Sequence, residues 1–120
     1  MYICMKLGVI ESKFADIIWK YEPLSSGDLV KKAYEELEWK KSTTYTVLKK
    51  LCERGIFQYE NGTVSSKISK DDYYALQSEE FVKDTFGGSL PAFVAAFTSR
   101  NKLSEKETLE LVQLIMESRK

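Results

Sequence analysis

The stretch KSTTYTVLKKLCERGIFQYENGTVSSKI, residues 41–68, decides the fold. In its first half, apolar and small side chains recur at three- and four-residue spacing, which is the period of an amphipathic helix. Gly55 follows this run and is a typical residue just past a helix end. We therefore predict a helix from Lys41 to about Arg54.

The second half of the same stretch predicts a β-hairpin. Two β-prone runs, Ile56–Glu60 and Thr63–Ile68, are separated by the dipeptide Asn61-Gly62. Both residues of such a two-residue turn need a positive φ, and Asn-Gly accepts it more readily than most pairs. A helix followed directly by a hairpin is typical of the second half of a winged helix-turn-helix.

Two more helices are predicted before this stretch. Apolar residues at helical spacing place the first helix at about Val9–Tyr21, and Glu22-Pro23 ends it because the residue before proline avoids the helical region. Ser25 begins a Ser-x-x-Asp capping signal, and an apolar stripe from Leu29 to Leu37 follows it. The predicted fold class is therefore mainly α, with a winged helix-turn-helix of three helices and a two-stranded hairpin.

The residues after the hairpin are predicted to be helical. Asp71-Asp72 can cap one helix, Pro91 suits the first turn of the next, and Ser104 begins a capping box for the last. We divide the chain into a winged-helix domain, residues 1–69, and a helical dimerisation region, residues 70–120. The side chains that we predict for the dimer contact are Phe81, Phe86, Phe93, Phe97, Leu111, Leu114 and Ile115.

This dimer prediction depends on size. About 50 residues cannot easily close a hydrophobic core of their own. Two arrangements remain: the tail folds back on the first domain, or it pairs with a second copy of the chain. We favour a homodimer because the tail has so many apolar and aromatic side chains.

Charge is distributed unevenly along a neutral chain. The whole sequence has 18 Lys and Arg against 18 Asp and Glu. Residues 40–69 nevertheless contain six cations and two anions, a balance of +4, whereas residues 70–120 contain seven cations and nine anions, a balance of −2. A basic middle can present a positive surface to a polyanion such as DNA, although a solvated charged face would look similar.

Several classes of site are disfavoured by composition. The chain has no histidine, and Cys4 and Cys52 form no metal-binding pattern, so we expect no cofactor and no zinc site of the Cys/His kind. No nucleophile motif or glycine-rich phosphate loop is present, so we do not expect an enzyme. We find no signal-peptide pattern and no apolar run of about 18 residues, which favours the cytoplasm and argues against membrane insertion.

The third helix has two distinct faces. Its inward-facing residues are Thr44, Val47, Leu48, Leu51 and Cys52, whereas its outward face has hydroxyls and lysines, with Glu53 at the far end. Short hydroxyl side chains near a helix start suit base edges, and lysines suit phosphates. The base-edge candidates are Ser42, Thr43 and Thr46, and the phosphate candidates are Lys40, Lys41, Lys49 and Lys50.

Other interpretations of these residues stay open from sequence alone. The outward face could be only a helix start and a solvated surface. A winged helix can also serve as a protein-interaction module that does not bind DNA specifically. Trp19 and Trp39 are more typical of core packing than of a DNA contact, although the indole N–H of Trp39 could reach a phosphate.

Several stretches of the chain also show a family resemblance. The Ile17-Ile18-Trp19-Lys20 end of the first helix, Trp39, the Thr-rich third helix and Gly55 together resemble the penicillinase-repressor family of the BlaI/MecI/CopY type. Gly88-Ser89-Leu90 and Leu103-Ser104 extend the resemblance over nearly the whole chain.

The resemblance implies a transcriptional repressor that binds an inverted repeat in double-stranded DNA upstream of resistance genes, as a homodimer formed by the helical tail. The recognition-helix contacts of the family fall on Ser42, Thr43 and Thr46. In one branch of the family, a membrane sensor-protease pathway relieves repression by cleavage in the tail.

Some positions depart from the family pattern. The chain lacks the C-terminal Cys-x-Cys pair of the copper-responsive branch, which argues against copper sensing. The cleavage site corresponds to Ala96-Phe97, where relatives have Asn-Phe, and this argues against cleavage at that bond. The predicted hairpin is the wing of this fold, and its tip has Gly62-Thr63 where many relatives have glycine followed by a basic residue. At the start of the third helix, Lys40-Lys41 stands where relatives often have Ser-Pro.

Overall fold

The computed structural model describes residues 7–120, so Cys4 lies outside the described residues. Six helices and three strands are present in this range. The helices are α1 (Val9–Tyr21), α2 (Ser26–Leu37), α3 (Lys41–Glu53), α4 (Lys70–Phe86), α5 (Leu90–Thr98) and α6 (Glu105–Ser118). The strands are β1 (Leu24–Ser25), β2 (Phe57–Glu60) and β3 (Thr63–Ser66).

The first three helices begin and end where the sequence predicts, to within a residue. The Ser25 Oγ accepts a hydrogen bond from the Asp28 N–H at 3.0 Å, which is the predicted cap of α2. At the end of α1, Glu22 adopts an extended conformation ahead of Pro23. Local chemistry therefore accounts for the start of α2 and the end of α1.

The hairpin forms as predicted and gains a third strand. β2 and β3 pair antiparallel, with Asn61 at φ 53° and Gly62 at φ 75° in the turn. The strand β1 then pairs with the other edge of β3, so the sheet order is β1-β3-β2. The sequence does not predict β1, because two residues are too few to show an alternating pattern.

One hydrophobic core holds the helices α1–α3 against this sheet. Its fully buried members include Phe14 and Ile18 of α1, Leu29 of α2, Leu51 of α3 and Phe57 of β2. The positions of the helical members follow the apolar stripes of the sequence, because a helix buries residues three and four apart on one face.

The start of α4 differs from the prediction. We expected Asp71-Asp72 to cap this helix, but the Ser69 Oγ accepts the hydrogen bond from the Asp72 N–H at 3.1 Å. The two aspartates lie instead in the first turn, where negative charge is favourable beside the unpaired N–H groups.

The chain forms two compact units, and the division lies within α4: the first unit ends at Glu80, and the second spans Phe81–Lys120. The division predicted from the sequence falls before Lys70. The difference has a physical cause, because Tyr73 is completely buried with its ring 5.6 Å from that of Trp19. The first turns of α4 therefore complete the core of the first unit.

The second unit has little buried surface of its own. No side chain between residues 81 and 120 is buried. Phenylalanine rings form a chain of contacts, from Phe81 and Phe86 to Phe93 and on to Phe97, with centroids 5.6–6.4 Å apart. A cleft of about 380 Å³ lies beside them between α5 and α6.

Candidate nucleic-acid interface

Helix α3 is oriented as its sequence predicts. Thr44, Leu48 and Leu51 are buried, and Val47 and Cys52 are partly buried against the core. The residues that we predicted to contact DNA are all exposed, and they are Lys40, Lys41, Ser42, Thr43, Thr46, Lys49 and Lys50. The structure thus brings the hydroxyls and lysines together on one outward surface of a helix that is anchored by its opposite face.

The N-terminus of α3 is open and positively charged. Lys40 occupies the N-cap position in an extended conformation, and no side chain caps this end. The first turn contains no acidic residue, whereas Lys40 and Lys41 flank it. Since the unpaired N–H groups of a helix start favour anions, this end is suited to a phosphate.

Thr46 is constrained by a bond within its own helix. Its Oγ1 donates to the Ser42 carbonyl oxygen at 2.9 Å, as threonine often does one turn back along a helix. The hydroxyl proton is therefore occupied, and the methyl group and the oxygen lone pairs remain for an external partner.

Helix α3 is held in place by contacts at both ends. Before its start, the Trp39 ring packs against Phe14 at 5.0 Å between centroids. At its end, an Arg54 guanidinium nitrogen lies 3.6 Å from a Glu11 carboxylate oxygen. Arg54 therefore contributes to bracing α3 on α1, and the positive charge of the outward face comes from the lysines.

The wing is attached to the start of α2. The Ser26 N–H donates to the Gly62 carbonyl at 3.0 Å, and the Tyr59 hydroxyl donates to the Ser26 Oγ at 3.2 Å. Because Gly62 and Thr63 are the residues at the tip, the exposed Glu60 is the nearest charged side chain in sequence. The charge nearest to the tip in sequence is therefore negative.

Two further contacts fix the base of the wing. The Glu22 carboxylate accepts from the Ser66 N–H at 2.8 Å and from the Ser66 hydroxyl at 2.7 Å. The Trp19 indole N–H donates to the Ile68 carbonyl at 3.0 Å, which places Trp19 with the core as predicted. The Glu22–Ser66 contact was not predictable from the sequence, because no local pattern links residues so far apart.

Cys52 behaves as a packing residue. Burial raises the pKa of its thiol, with Lys67 opposing that shift and Glu53 reinforcing it. A thiol with a raised pKa is protonated near neutral pH and is a poor nucleophile or metal ligand.

Residues 7–120 contain no cluster of acidic, cysteine or histidine side chains that could hold a metal ion. Within the same range, no helix is long and apolar enough to cross a membrane.

Comparison with known proteins provides the family. The sequence model of the family described as penicillinase repressor matches residues 7–117. The chain belongs to this family. As a member of a family of transcriptional repressors, it is not an enzyme.

Related repressors match this chain over most of their length. The penicillinase repressor of Bacillus licheniformis is 26% identical over 111 residues, covering 89% of this chain and 87% of the relative. The penicillinase repressor of Staphylococcus aureus is 24% identical over 115 residues, covering 92% and 91%. The methicillin resistance regulatory protein MecI of Staphylococcus aureus strain Mu50 is 24% identical over 119 residues, covering 92% and 93%.

A solved structure supports the fold. The chain is similar to the solution structure of the DNA-binding domain of the repressor BlaI, with a TM-score of 0.54 and 21% identity. The match covers 61% of this chain and 94% of that domain. The family resemblance and the winged-helix fold inferred from the sequence are thus both confirmed.

Proposed function

We propose that this penicillinase-repressor family member is a sequence-specific DNA-binding repressor that acts as a homodimer on an inverted-repeat operator. The observation that carries the proposal is the outward face of α3, where Ser42, Thr43 and Thr46 are exposed beside lysines while the opposite face is buried. A helix anchored in this way can enter the major groove as a rigid element. Acting on DNA, the protein belongs in the cytoplasm with the chromosome.

The chemistry of this face matches a duplex. Ser42 and Thr43 offer hydroxyls near the helix start, and Thr46 offers a methyl group, which fits the methyl group of thymine. Lys49 and Lys50 lie further along the helix, where an ammonium can reach phosphates as a point charge. Lys40 and Lys41 add charge at the open helix end, so direct base contacts and phosphate contacts are both available.

The second unit supports the homodimer. Its apolar side chains are exposed in the single chain, with Phe97 at 49%, Leu114 at 61% and Ile115 at 55% exposure. Exposed apolar surface on this scale marks an interaction site. Phe86 and Phe93 are partly covered by neighbouring rings, so we assign the centre of the contact to α6 and to the α5–α6 cleft.

The position of the Ala96-Phe97 bond bears on how repression by this chain is relieved. The Ala96-Phe97 bond, which corresponds to the cleavage site of the protease-responsive relatives, lies inside α5 and is exposed. A protease needs an extended substrate, so cleavage there requires α5 to unfold locally. Together with alanine in place of asparagine, this argues against a membrane sensor-protease pathway that cuts at this bond.

A protein-interaction module is the second candidate function, and the surface disfavours it. An interface that binds a protein partner usually has aromatic or large apolar residues at its centre. The outward face of α3 has none among the exposed residues from Lys40 to Lys50.

Selection of bound sites from a random duplex pool tests the proposal. We expect the full-length protein to enrich a palindromic sequence with half-sites about one helical turn apart. Enrichment of a single half-site would argue against the dimer. Enrichment of no sequence, with binding that depends only on salt, would contradict specific recognition.

A further inference from the structure

A groove between the recognition helix and the wing borders the base and phosphate contacts proposed for α3. It lies between α3 and the edge strand β2 and has a volume of about 410 Å³. Its lining residues, which we call the tyrosine groove, are Tyr45, Leu48, Lys49, Cys52 and Tyr59. Lys49 also belongs to the outward face of α3, so the groove is continuous with the proposed DNA surface.

The two tyrosines lie side by side in the lining of the groove. Their ring centroids are 6.3 Å apart, with Tyr45 on α3 and Tyr59 on β2. The Tyr59 hydroxyl is engaged with the Ser26 Oγ. The Tyr45 hydroxyl makes no hydrogen bond within residues 7–120, and its side chain is only partly buried. The lining thus contains one tyrosine that is fixed to α2 and one tyrosine with an available donor.

The position of the groove identifies its occupant. When a recognition helix lies in the major groove and a wing reaches toward the neighbouring minor groove, one sugar–phosphate strand passes between them. This strand offers anionic oxygens and apolar deoxyribose faces. The tyrosine groove offers the matching partners: a lysine ammonium at its rim, a tyrosine hydroxyl and two aromatic rings.

We propose that the tyrosine groove holds one sugar–phosphate strand of the bound duplex, with the Tyr45 hydroxyl donating to a phosphate oxygen and the Tyr59 ring packing against deoxyribose. This inference rests on the proposed function, because it requires α3 to enter the major groove. It assigns Tyr45 a role in affinity rather than in sequence reading, since phosphates are the same at every base pair.

Replacing Tyr45 by phenylalanine tests the contact, since Tyr45→Phe retains the ring and removes only the hydroxyl. We expect affinity to fall about three- to tenfold, equally on the selected operator and on a random duplex, as for loss of one hydrogen bond. The salt dependence should stay unchanged, because no charge is lost. In contrast, Lys49→Gln should lower the log–log salt slope by about 1.

A matched control and a stability measurement separate this effect from misfolding. Tyr34→Phe removes the hydroxyl of an exposed tyrosine of α2 outside the groove, and it should bind both duplexes like the unmodified protein. Urea unfolding of Tyr45→Phe should match that of the unmodified protein. Weaker binding accompanied by a lower unfolding midpoint would overturn the contact.

The phosphate can be located with uncharged methylphosphonate substitutions, one position at a time, in the operator. We expect one position where the substitution weakens binding of the unmodified protein more than binding of Tyr45→Phe, which is the non-additivity of a direct pair. Additive losses at every position would overturn the inference, as would a loss by Tyr45→Phe on the operator alone. If the unmodified protein selects no operator, the proposed function fails. If the unmodified protein selects an operator and Tyr45→Phe binds it equally well, only the proposed role of the tyrosine groove is wrong.

Discussion

Thr46 shows how a bond within one helix limits what a residue offers to DNA. Since its hydroxyl proton is donated to the Ser42 carbonyl, a base acceptor would have to compete with that carbonyl for the proton. The methyl group faces no such competition. For the proposed function, we therefore expect the methyl group to provide the discrimination at this position.

Three substitutions at Thr46 separate the contribution of its methyl group from that of its hydroxyl. We expect Thr46→Ala to cost about 1–3 kcal/mol on the selected operator and much less on a random duplex. Thr46→Val, which keeps a methyl group in the same place, should bind the operator within about twofold of the unmodified protein, whereas Thr46→Ser should resemble Thr46→Ala. Fluorescence titration at fixed salt measures all three. A valine variant as weak as the alanine variant would assign the role to the oxygen instead.

The faces of α3 were predictable from the sequence because they depend on one helical period. Ser42 and Lys49 fall outside the apolar stripe wherever the rest of the chain goes. The tyrosine groove was not predictable, because it depends on where β2 lies relative to Tyr45. A groove between two elements requires the tertiary structure, and no spacing along the chain encodes it.

At the scale of elements, the wing turn is determined by backbone conformation. Gly62 has φ 75°, and a Cβ at this position would meet nothing within 4 Å. The requirement for glycine is therefore conformational and not a matter of space. Gly27, near the start of α2, has no positive φ and has only the Ser25 Oγ within reach, at 3.9 Å.

This contrast predicts opposite effects for two alanine substitutions. Gly62→Ala should lower the free energy of unfolding by about 1 kcal/mol, because alanine is strained at positive φ. Gly27→Ala should raise it by roughly 0.5 kcal/mol, because alanine restricts the unfolded chain and favours the helix. Urea unfolding measures both. If Gly62→Ala leaves the free energy of unfolding unchanged or raises it, the turn is not limited by its φ angles.

Elements with local signals were predictable from the sequence, and those that depend on a remote partner were not. The helices from Val9 to Glu53 and the Asn61-Gly62 turn carry their own period, caps or turn chemistry. β1 exists only because Leu24 lies opposite Val64. The cap of α4 was predicted at Asp71-Asp72, and the structure places it at Ser69.

At the scale of the whole molecule, sequence specificity requires two copies. One winged helix engages too few base pairs to stand out among the many competing sites of a genome. Joining two of them makes the second contact intramolecular, at an effective concentration set by the linkage. In the proposed homodimer, the exposed apolar side chains of residues 81–120 therefore affect affinity without touching DNA.

Removing the second unit tests this coupling. The cut belongs after Glu80, since a cut after Lys70 would delete Tyr73, which is fully buried in the core of the first unit. We expect the fragment of residues 1–80 to be a folded monomer whose affinity for the operator falls by about two orders of magnitude or more. Sedimentation velocity and gel-shift titration measure the two properties.

A substitution in the intact chain provides the control for truncation. Leu114 is 61% exposed on α6, so Leu114→Lys should leave both units folded while placing a charge within the proposed apolar contact. We expect this variant to be a weaker dimer and to lose operator affinity in parallel, with its affinity for a single half-site unchanged. Since half-site binding depends only on α3 and the wing, it isolates dimerisation from recognition. Two results would show that residues 81–120 have a different role. The first is an unmodified chain that is monomeric at micromolar concentration without DNA, and the second is a fragment that binds the operator as tightly as the whole chain.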